Sequence, residues 1–574
     1  MEMIQIAWIW VFTSIIFFAI GYSLKNIVTE SSQIDLFDDF WIGWGAVIFL
    51  LILANFFIPI DKNFFFLIAY LGAFCLSIHI KKIYLFLKNY ISTQKFQIFI
   101  FISAIFLVAY GTMAEKLPYD AGLYHMQSVK WASTYPVIPG LGNLHGRLAF
   151  NSSYFLYFAF FSFSPITYYK LGSGLILAVI LSKAMCSFLK VLRNSTSKIS
   201  FDEIMWCLFI CPLLYQAYRF SATTSPDLPI FLIGIIIAIN LSKLIFRDLN
   251  TDETLNTLFI IILLSTIGIT IKLSSIVLGA ACIFLATLIV FFPNLVLNSE
   301  ISSENLNKTA LNKKFKNYLL IYLVCFLIGT AYMVRGLILS GYPLYPSTFT
   351  FLKADWQIPY QKVVDMAGHV KSWAQLQQLG KITGWYWLIP WGNRMLHNVF
   401  NRFDLIFPVL ITAVTTIIFL FRSYTPSDKR KLDLLVLPSL LNVIFWFIQA
   451  PEPRFAGSTF FIIAIALVSF FIFNSLVHKQ RIYTAVINFC WMIFLLSTLT
   501  TMTKELMQGE KDFRLTQKSV IKQEMTNSGL TIFLPLDGYH NEQCWDAPLP
   551  CTPNFNKDLH LRDKNNILKG FSVL

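Results

Sequence analysis

The stretch EKLPYDAGLYHMQSVKWASTYPVIPGLGNLHGRLAFNSS gathers Asp120, His125, Lys130, Trp131, His145 and Arg147 directly after an apolar run. A carboxylate at such a boundary meets both lipid headgroups and water. Asp120 is therefore placed to take a proton from a hydroxyl or amine, or to hold a divalent ion. The same letters also read as a solvated turn, because PYDAG carries turn chemistry. Gly140, Gly142 and Gly146 are spaced GxGxxxG, with no strand before them and no βαβ unit around them. A dinucleotide reading is refused, and tight turns account for these glycines.

A second set of ionisable residues stands at the ends of other apolar runs. YRFSATTSPDLP carries Arg219 and Asp227, GITIKLSS carries Lys272, MVRGLILSGYPLYP carries Arg335, and QAPEPRFAGS carries Glu452 and Arg454. Charges at membrane depth are costly and face protein or a water-filled cavity. Asp120, Asp227, Lys272, Arg335 and Arg454 on different helices thus point to a shared polar cavity, in which cations clamp a phosphate and an acid activates an acceptor. The alternative is that each cation snorkels to headgroups independently. Trp356, Trp373, Trp385, Trp387 and Trp391 read as an interfacial aromatic belt or as stacking surfaces for sugar rings.

Elements that deliver these residues to one place must be membrane helices. Of 574 residues, 56% are hydrophobic and only 13% charged, with 56 Phe, which excludes a soluble or disordered chain. About fourteen runs are long and apolar enough to read as spanning helices, near 4–24, 41–60, 64–80, 96–112, 167–190, 203–218, 227–245, 256–271, 273–292, 317–336, 404–421, 434–449, 456–474 and 482–500. The run at 150–163 is read as interfacial or re-entrant. The expected fold is an all-α polytopic bundle over 1–502, with outer loops 113–166 and 337–403 and an extracytoplasmic tail over 503–574. The segment 373–396 reads as short amphipathic helices on the membrane surface.

Orientation follows from the basic clusters. With these spans, Lys81, Lys82, Lys88 and Lys95, then Lys183, Lys190, Arg193 and Lys198, then Lys243 and Arg247 share one side with Lys308, Lys313, Lys314 and Lys316, with Arg422, Lys429, Arg430 and Lys431, and with Lys479 and Arg481. The net charge of +14 is accordingly a matter of orientation, and no nucleic-acid partner is expected. Both termini and the candidate residues then lie outside. Seven cysteines sit in apolar runs; Cys544 and Cys551, in the polar QCWDAPLPCTP, can close a disulfide in an oxidising space. No internal repeat and no removable signal peptide are evident.

The segment PYDAGLYHMQSVKWASTYPVIPG resembles the D(D/E)xxYxxxA…P loop of the aminoarabinose and protein-mannosyl transferase relatives, with Ala121 where the second acid stands. PEPRFAGSTFFIIA is similar to their PRYLLP turn. The chain therefore looks like the GT-C class of integral membrane glycosyltransferases. GLGNLHGRLAFNSS, RGLILSGYPLYPS and CWDAPLPCTP also resemble a family of bacterial polytopic membrane proteins related to them. The resemblance implies transfer of a sugar from a polyprenyl-phosphate donor to a glycan, lipid or protein acceptor at the outer face of the bacterial inner membrane. Asp120 would be the general base, with Asp227 as a second catalytic acid. Lys272, Arg335 and Arg454 would contact phosphate, and His125, His145 and Arg147 would bind substrate, with a divalent cation as an open question. Two other readings remain: a transporter or flippase of lipid-linked glycans, and an outer-face polysaccharide polymerase or ligase.

Overall fold

A computed structural model describes residues 1–113, 117–164, 166–193, 199–297, 315–377, 384–475, 477–507, 513–514, 520–536 and 542–573. Lys198, Lys308, Lys313 and Lys314 lie outside the described residues. The helices run α1 Glu2–Thr29, α2 Leu36–Ala54, α3 Lys62–Ile78, α4 Ile80–Thr93, α5 Lys95–Thr112, α6 Met126–Thr134, α7 Ser153–Ala159, α8 Tyr168–Arg193, α9 Phe201–Leu208, α10 Ile210–Phe220, α11 Asp227–Phe246, α12 Thr251–Ile271 and α13 Ile276–Phe291. They continue as α14 Phe315–Ser340, α15 Tyr360–Leu376, α16 Leu388–His397, α17 Phe407–Leu420, α18 Pro426–Gln449, α19 Thr459–Phe473 and α20 Val477–Met507. The chain is an all-α, multi-pass membrane protein. Each apolar run expected to span is helical.

Among the described residues ten helices are long and apolar enough to cross a membrane, and an eleventh if α3 and α4, bent by 82° at their junction, form one span. Two of the other expected spans fall short for local reasons. α9 and α10 are interrupted at Phe209, and α19 has only 15 residues. Polar residues set the starts of several helices by accepting orphan backbone N–H groups. Asp35 caps α2, Asp61 caps α3, Thr425 caps α18, and Asn250 forms a capping box with Glu253 at α12.

Ion pairs sort the helix ends. At one end Lys25 pairs with Asp39, Lys190 with Glu203 at 2.8 Å, and Arg247 meets both oxygens of Asp202 at 2.6 Å. These contacts join the end of α1 to the start of α2, and the ends of α8 and α11 to the start of α9. The opposite end collects Glu2 with Lys170, and the contact of Asn55 with Arg335. It is to this second end that the loops and tail add their mass.

The segment after the first long loop dips into the bundle. Side chains from Ser153 to Phe161 are all buried, and Tyr154 and Tyr157 satisfy their hydroxyls on Ser173 and the Gly172 carbonyl. It is enclosed by protein, with its rings packed on Phe17, Trp44 and Phe65. Within 373–396, the first residues end α15, which begins earlier, and the last lie in α16; residues 378–383 lie outside the described residues. The last helix runs to Met507, beyond the expected boundary at 502. After it come three two-stranded antiparallel pairings: Leu117–Pro118 with Phe513–Arg514, Ile521–Met525 with Thr531–Pro535, and Leu559–Leu561 with Phe571–Val573.

The α1–α2 crossing is the tightest helix contact. A Cβ on Gly43 would stand 1.7 Å from the Phe17 carbonyl oxygen, and one on Gly21 would stand 1.8 Å from that of Asp39. Backbones at that separation admit no methyl group, so overpacking must push the helices apart. Gly43→Ala should therefore lower the melting temperature in detergent by several degrees, reflecting a cost of about 1–3 kcal/mol. Gly329→Ala, where nothing lies within 4 Å, should leave it unchanged. Equal melting of the two variants would contradict the crossing.

Candidate functional site

Asp120 follows the short strand Leu117–Pro118 and precedes a wide π turn, Ala121–His125, that leads into α6. Single π turns recur at functional sites, because they re-aim side chains without ending the helix. Arg147 stands in the turn Gly146–Ala149, Asp227 is the first residue of α11, Lys272 links α12 to the turn before α13, and Arg454 lies in the turn Pro453–Ala456 before α19. Five segments far apart in sequence thus deliver five charges.

They form a continuous string. Arg147 Nη1 lies 3.0 Å from Asp120 Oδ1, and Arg454 Nη1 lies 3.5 Å from Asp120 Oδ2 and 3.6 Å from Asp227 Oδ2. Lys272 Nζ pairs with Asp227 Oδ1, and Ser225 Oγ donates to Asp227 Oδ2 at 3.0 Å. Rings line the cations: Phe455 lies under Lys272 at 3.9 Å and beside Arg454 at 5.2 Å, and Tyr124 faces Arg147 at 5.5 Å. The side chains of Arg147, Arg454 and Lys272 remain 32%, 27% and 21% exposed, and that of Asp120 19%. The string is therefore reachable from outside the protein.

Burial would raise the Asp120 carboxyl, but the charges of Arg147 and Arg454, with smaller contributions from His125 and Lys272, outweigh it and hold it below the ordinary carboxylate range. Arg454 responds in the mirror sense. Burial opposes its charge, yet Asp227, Asp120 and Glu452 raise its pKa. Burial lowers the imidazole of His125 to about 4, against the pull of Asp120 and Asp227. Burial, helped by Arg147, lowers His145 to about 3. At neutral pH the site thus holds two carboxylates, three cations and two neutral imidazoles.

Among the residues expected to bind substrate, His125 sits beside the string. Its Nδ1 meets Thr224 Oγ1 at 2.9 Å, and Nε2 is buried with no hydrogen-bond partner among the described residues. His145 is a buried ring two residues before Arg147, inside the loop core. Arg335 does not join the string. It is 8% exposed and held by Asn55 and Asn151, so the expected single cavity for all the cations is corrected. Glu452 pairs with Arg394 at 3.1 Å, one step outward from Arg454. Sequence reasoning missed Asp404, which pairs with Arg219 at 2.7 Å. An acid at the start of an apolar run, as with Asp227, was the available signal.

The donor set does not suit a divalent ion. Both carboxylates already face cations, and no group of three or more His, Cys, Asp or Glu among the described residues is arranged to hold a metal. The surplus of one positive charge, three cations against two acids, suits an anion instead.

Above the string lies the tail. Cys544 and Cys551 are disulfide-bonded, as their context suggested. The Trp545 N–H donates to the Gly122 carbonyl at 2.9 Å, Gln127 donates to the Trp545 and Ala547 carbonyls, and Gln543 donates to the Tyr119 carbonyl. Lys130 pairs with Asp546 at 3.0 Å. The GLGNLHG glycines also serve packing. Gly140 has φ +64°, and a Cβ there would stand 2.1 Å from the Phe571 carbonyl oxygen.

Fold and site define a polytopic membrane protein with an ionic, anion-suited site at one end of its bundle. The chain belongs to the family described as Domain of unknown function (DUF8201), whose model matches residues 3–299 and 305–462. Those segments contain all five residues of the string, whereas Cys544 and Cys551 lie beyond them. No curated protein and no solved structure matches the chain.

The depressed imidazoles fix a pH response. A group held neutral in the fold binds fewer protons than in the unfolded chain, so stability rises with pH across the interval between its two pKa values. For His125 that interval runs from about 4 to the ordinary 6.5, and for His145 from about 3 to 6.5. Stability should be complete above pH 6.5 and fall on acidification, by up to about 1.4 kcal/mol per pH unit for each ring. Melting in detergent between pH 7.5 and 5 reads this, and His145→Gln should flatten the profile. An unaltered slope in that variant would contradict the assignment.

Proposed function

We propose that the protein is an integral membrane glycosyltransferase of GT-C type. It crosses a bacterial inner membrane about fourteen times, with the ionic string at the extracytoplasmic face. The observation that carries the proposal is the meeting of Asp120, Arg147, Asp227, Lys272 and Arg454 from five segments at one accessible place. The basic ends of α8 and α11 lie at the opposite end of the bundle, which agrees with a cytoplasmic placement there. A disulfide in the tail fits an oxidising space on the site's side.

The donor is a polyprenyl-phosphate sugar. Its phosphate enters the cationic part of the string and draws on Arg454 and Lys272. Arg454 contacts both carboxylates only at 3.5 and 3.6 Å, so turning it toward phosphate costs little pairing. Asp120, relieved of one cation, becomes a stronger base. It takes the proton of an acceptor hydroxyl as that oxygen bonds to the anomeric carbon. The bond from that carbon to the phosphate oxygen breaks, and its electron pair leaves with the polyprenyl phosphate, whose charge the cations stabilise. Attack opposite the leaving group inverts the anomeric centre. Asp227 holds Lys272 and Arg454 in place. A glycan transporter would instead place its ionisable groups along a path through the bundle. A polymerase or ligase would share the chemistry and differ in product length.

Asp120→Asn preserves shape and removes the base. Transfer from radiolabelled polyprenyl-phosphate hexoses or pentoses to membrane acceptors should fall by about two to four orders of magnitude. Correct insertion should be retained. A correctly inserted Asp120→Asn protein with undiminished transfer would contradict the mechanism.

A further inference from the structure

Arg335 poses a separate problem. Its guanidinium lies within α14, 8% exposed, and no carboxylate among the described residues pairs with it. Of the five N–H groups of an arginine, three are used: Nε and Nη2 donate to Asn55 Oδ1 at 3.2 and 3.1 Å, and Nη1 donates to Asn151 Oδ1 at 2.6 Å. Two remain. The amide nitrogens of both asparagines donate to the Tyr135 and Tyr332 carbonyls, which orients the oxygens toward the arginine. A buried charge with only neutral partners is expensive to retain, since dipoles replace hydration incompletely.

Arg335 lines a cavity of ≈ 30 Å³. Ser128 and Trp131, both on α6, line it too; the Ser128 hydroxyl and the Trp131 indole N–H are buried without a hydrogen-bond partner among the described residues. The unspent groups of these three side chains can all donate: two guanidinium N–H, one indole N–H and one hydroxyl. No carboxylate lines the cavity. Phe155 forms part of the wall, and its other neighbours are the rings of Tyr124, at 6.0 Å, and His125, at 5.1 Å. The cavity is therefore adjacent to the string but partitioned from it by aromatic rings.

We propose that this cavity is a second anion site, distinct from the string, which takes one phosphoryl group. Arg335 supplies the countercharge, and Ser128 and Trp131 supply neutral donors to further oxygens of the same group. A tetrahedral oxyanion accepts from donors on two separate helices at once, which matches α6 and α14 here. Lipid headgroups and free phosphate both offer this chemistry. The site stands whether or not the string transfers a sugar.

The test uses the full-length protein and two probes. In neutral detergent, inorganic phosphate is titrated calorimetrically into wild type, Arg335→Gln, Trp131→Phe and Arg454→Gln. In nanodiscs, retention of phosphatidylglycerol over phosphatidylcholine is read by native mass spectrometry for the same four proteins. Trp131→Phe keeps the ring and removes only the N–H, so it guards against a folding defect in Arg335→Gln. A phosphate-binding event kept by Arg454→Gln and weakened at least about tenfold by the other two variants supports the site with free phosphate as occupant. Selective phosphatidylglycerol retention lost in those two variants supports it with a lipid headgroup as occupant. Behaviour of Arg335→Gln and Trp131→Phe equal to wild type in both arms overturns it. A map of the phosphate-soaked protein with only water-sized density beside Arg335 does so as well.

Discussion

A carboxylate at the edge of a membrane bundle persists as an anion only beside cations, and this constraint organises the site end of the molecule. Asp120 and Asp227 lose hydration where their segments meet. Arg147, Arg454 and Lys272 restore the balance and leave one positive charge in surplus. The alternation of signs fixes which segments must be neighbours: two turns in the first loop, the start of α11, the link between α12 and α13, and the turn before α19. Displacing any one of them would strand a charge, at a cost far above that of a surface ion pair.

Rigidity elsewhere serves that arrangement. The glycine crossing of α1 on α2 admits no slack, and the buried α7 fills the space behind the first loop with rings packed against both helices. From the other side the disulfide-closed segment of the tail grips the backbone on either side of Asp120, at Tyr119 and Gly122. The chain thus surrounds a partly accessible ionic string with fixed walls. Arg454, with its two long contacts, is the loosest member and the natural one to move toward an anion.

Much of this was legible in the residues. Apolar runs with few charges can be little else than membrane helices, so the helix positions followed from hydropathy. The run at 150–163 was ambiguous because a buried apolar helix and an interfacial one share a composition. Asp120, Asp227, Lys272 and Arg454 were visible as charges at run ends. Arg335 carried the same signature yet lies apart, because rotation about a helix axis decides which neighbour a side chain meets, and sequence position does not encode it. Asn55, Asn151 and Ser128 were invisible for a related reason: neutral polar residues at run ends are common, and only their convergence on Arg335 gives them meaning. Asp404 opens an apolar run as Asp227 does, and only the fold gives it its partner, Arg219.

Asp120 and Arg454 meet at 3.5 Å, and the proposed transfer requires both to face one side of the membrane. The direct measurement places cysteines at 120 and 454 in a background with the seven free cysteines replaced. It then combines a short bis-thiol crosslinker with a membrane-impermeant maleimide applied to sealed vesicles of each orientation. Efficient crosslinking is expected, with labelling of both positions from the extracytoplasmic side alone. Labelling of the two positions from opposite sides, with no crosslink between them, would contradict it.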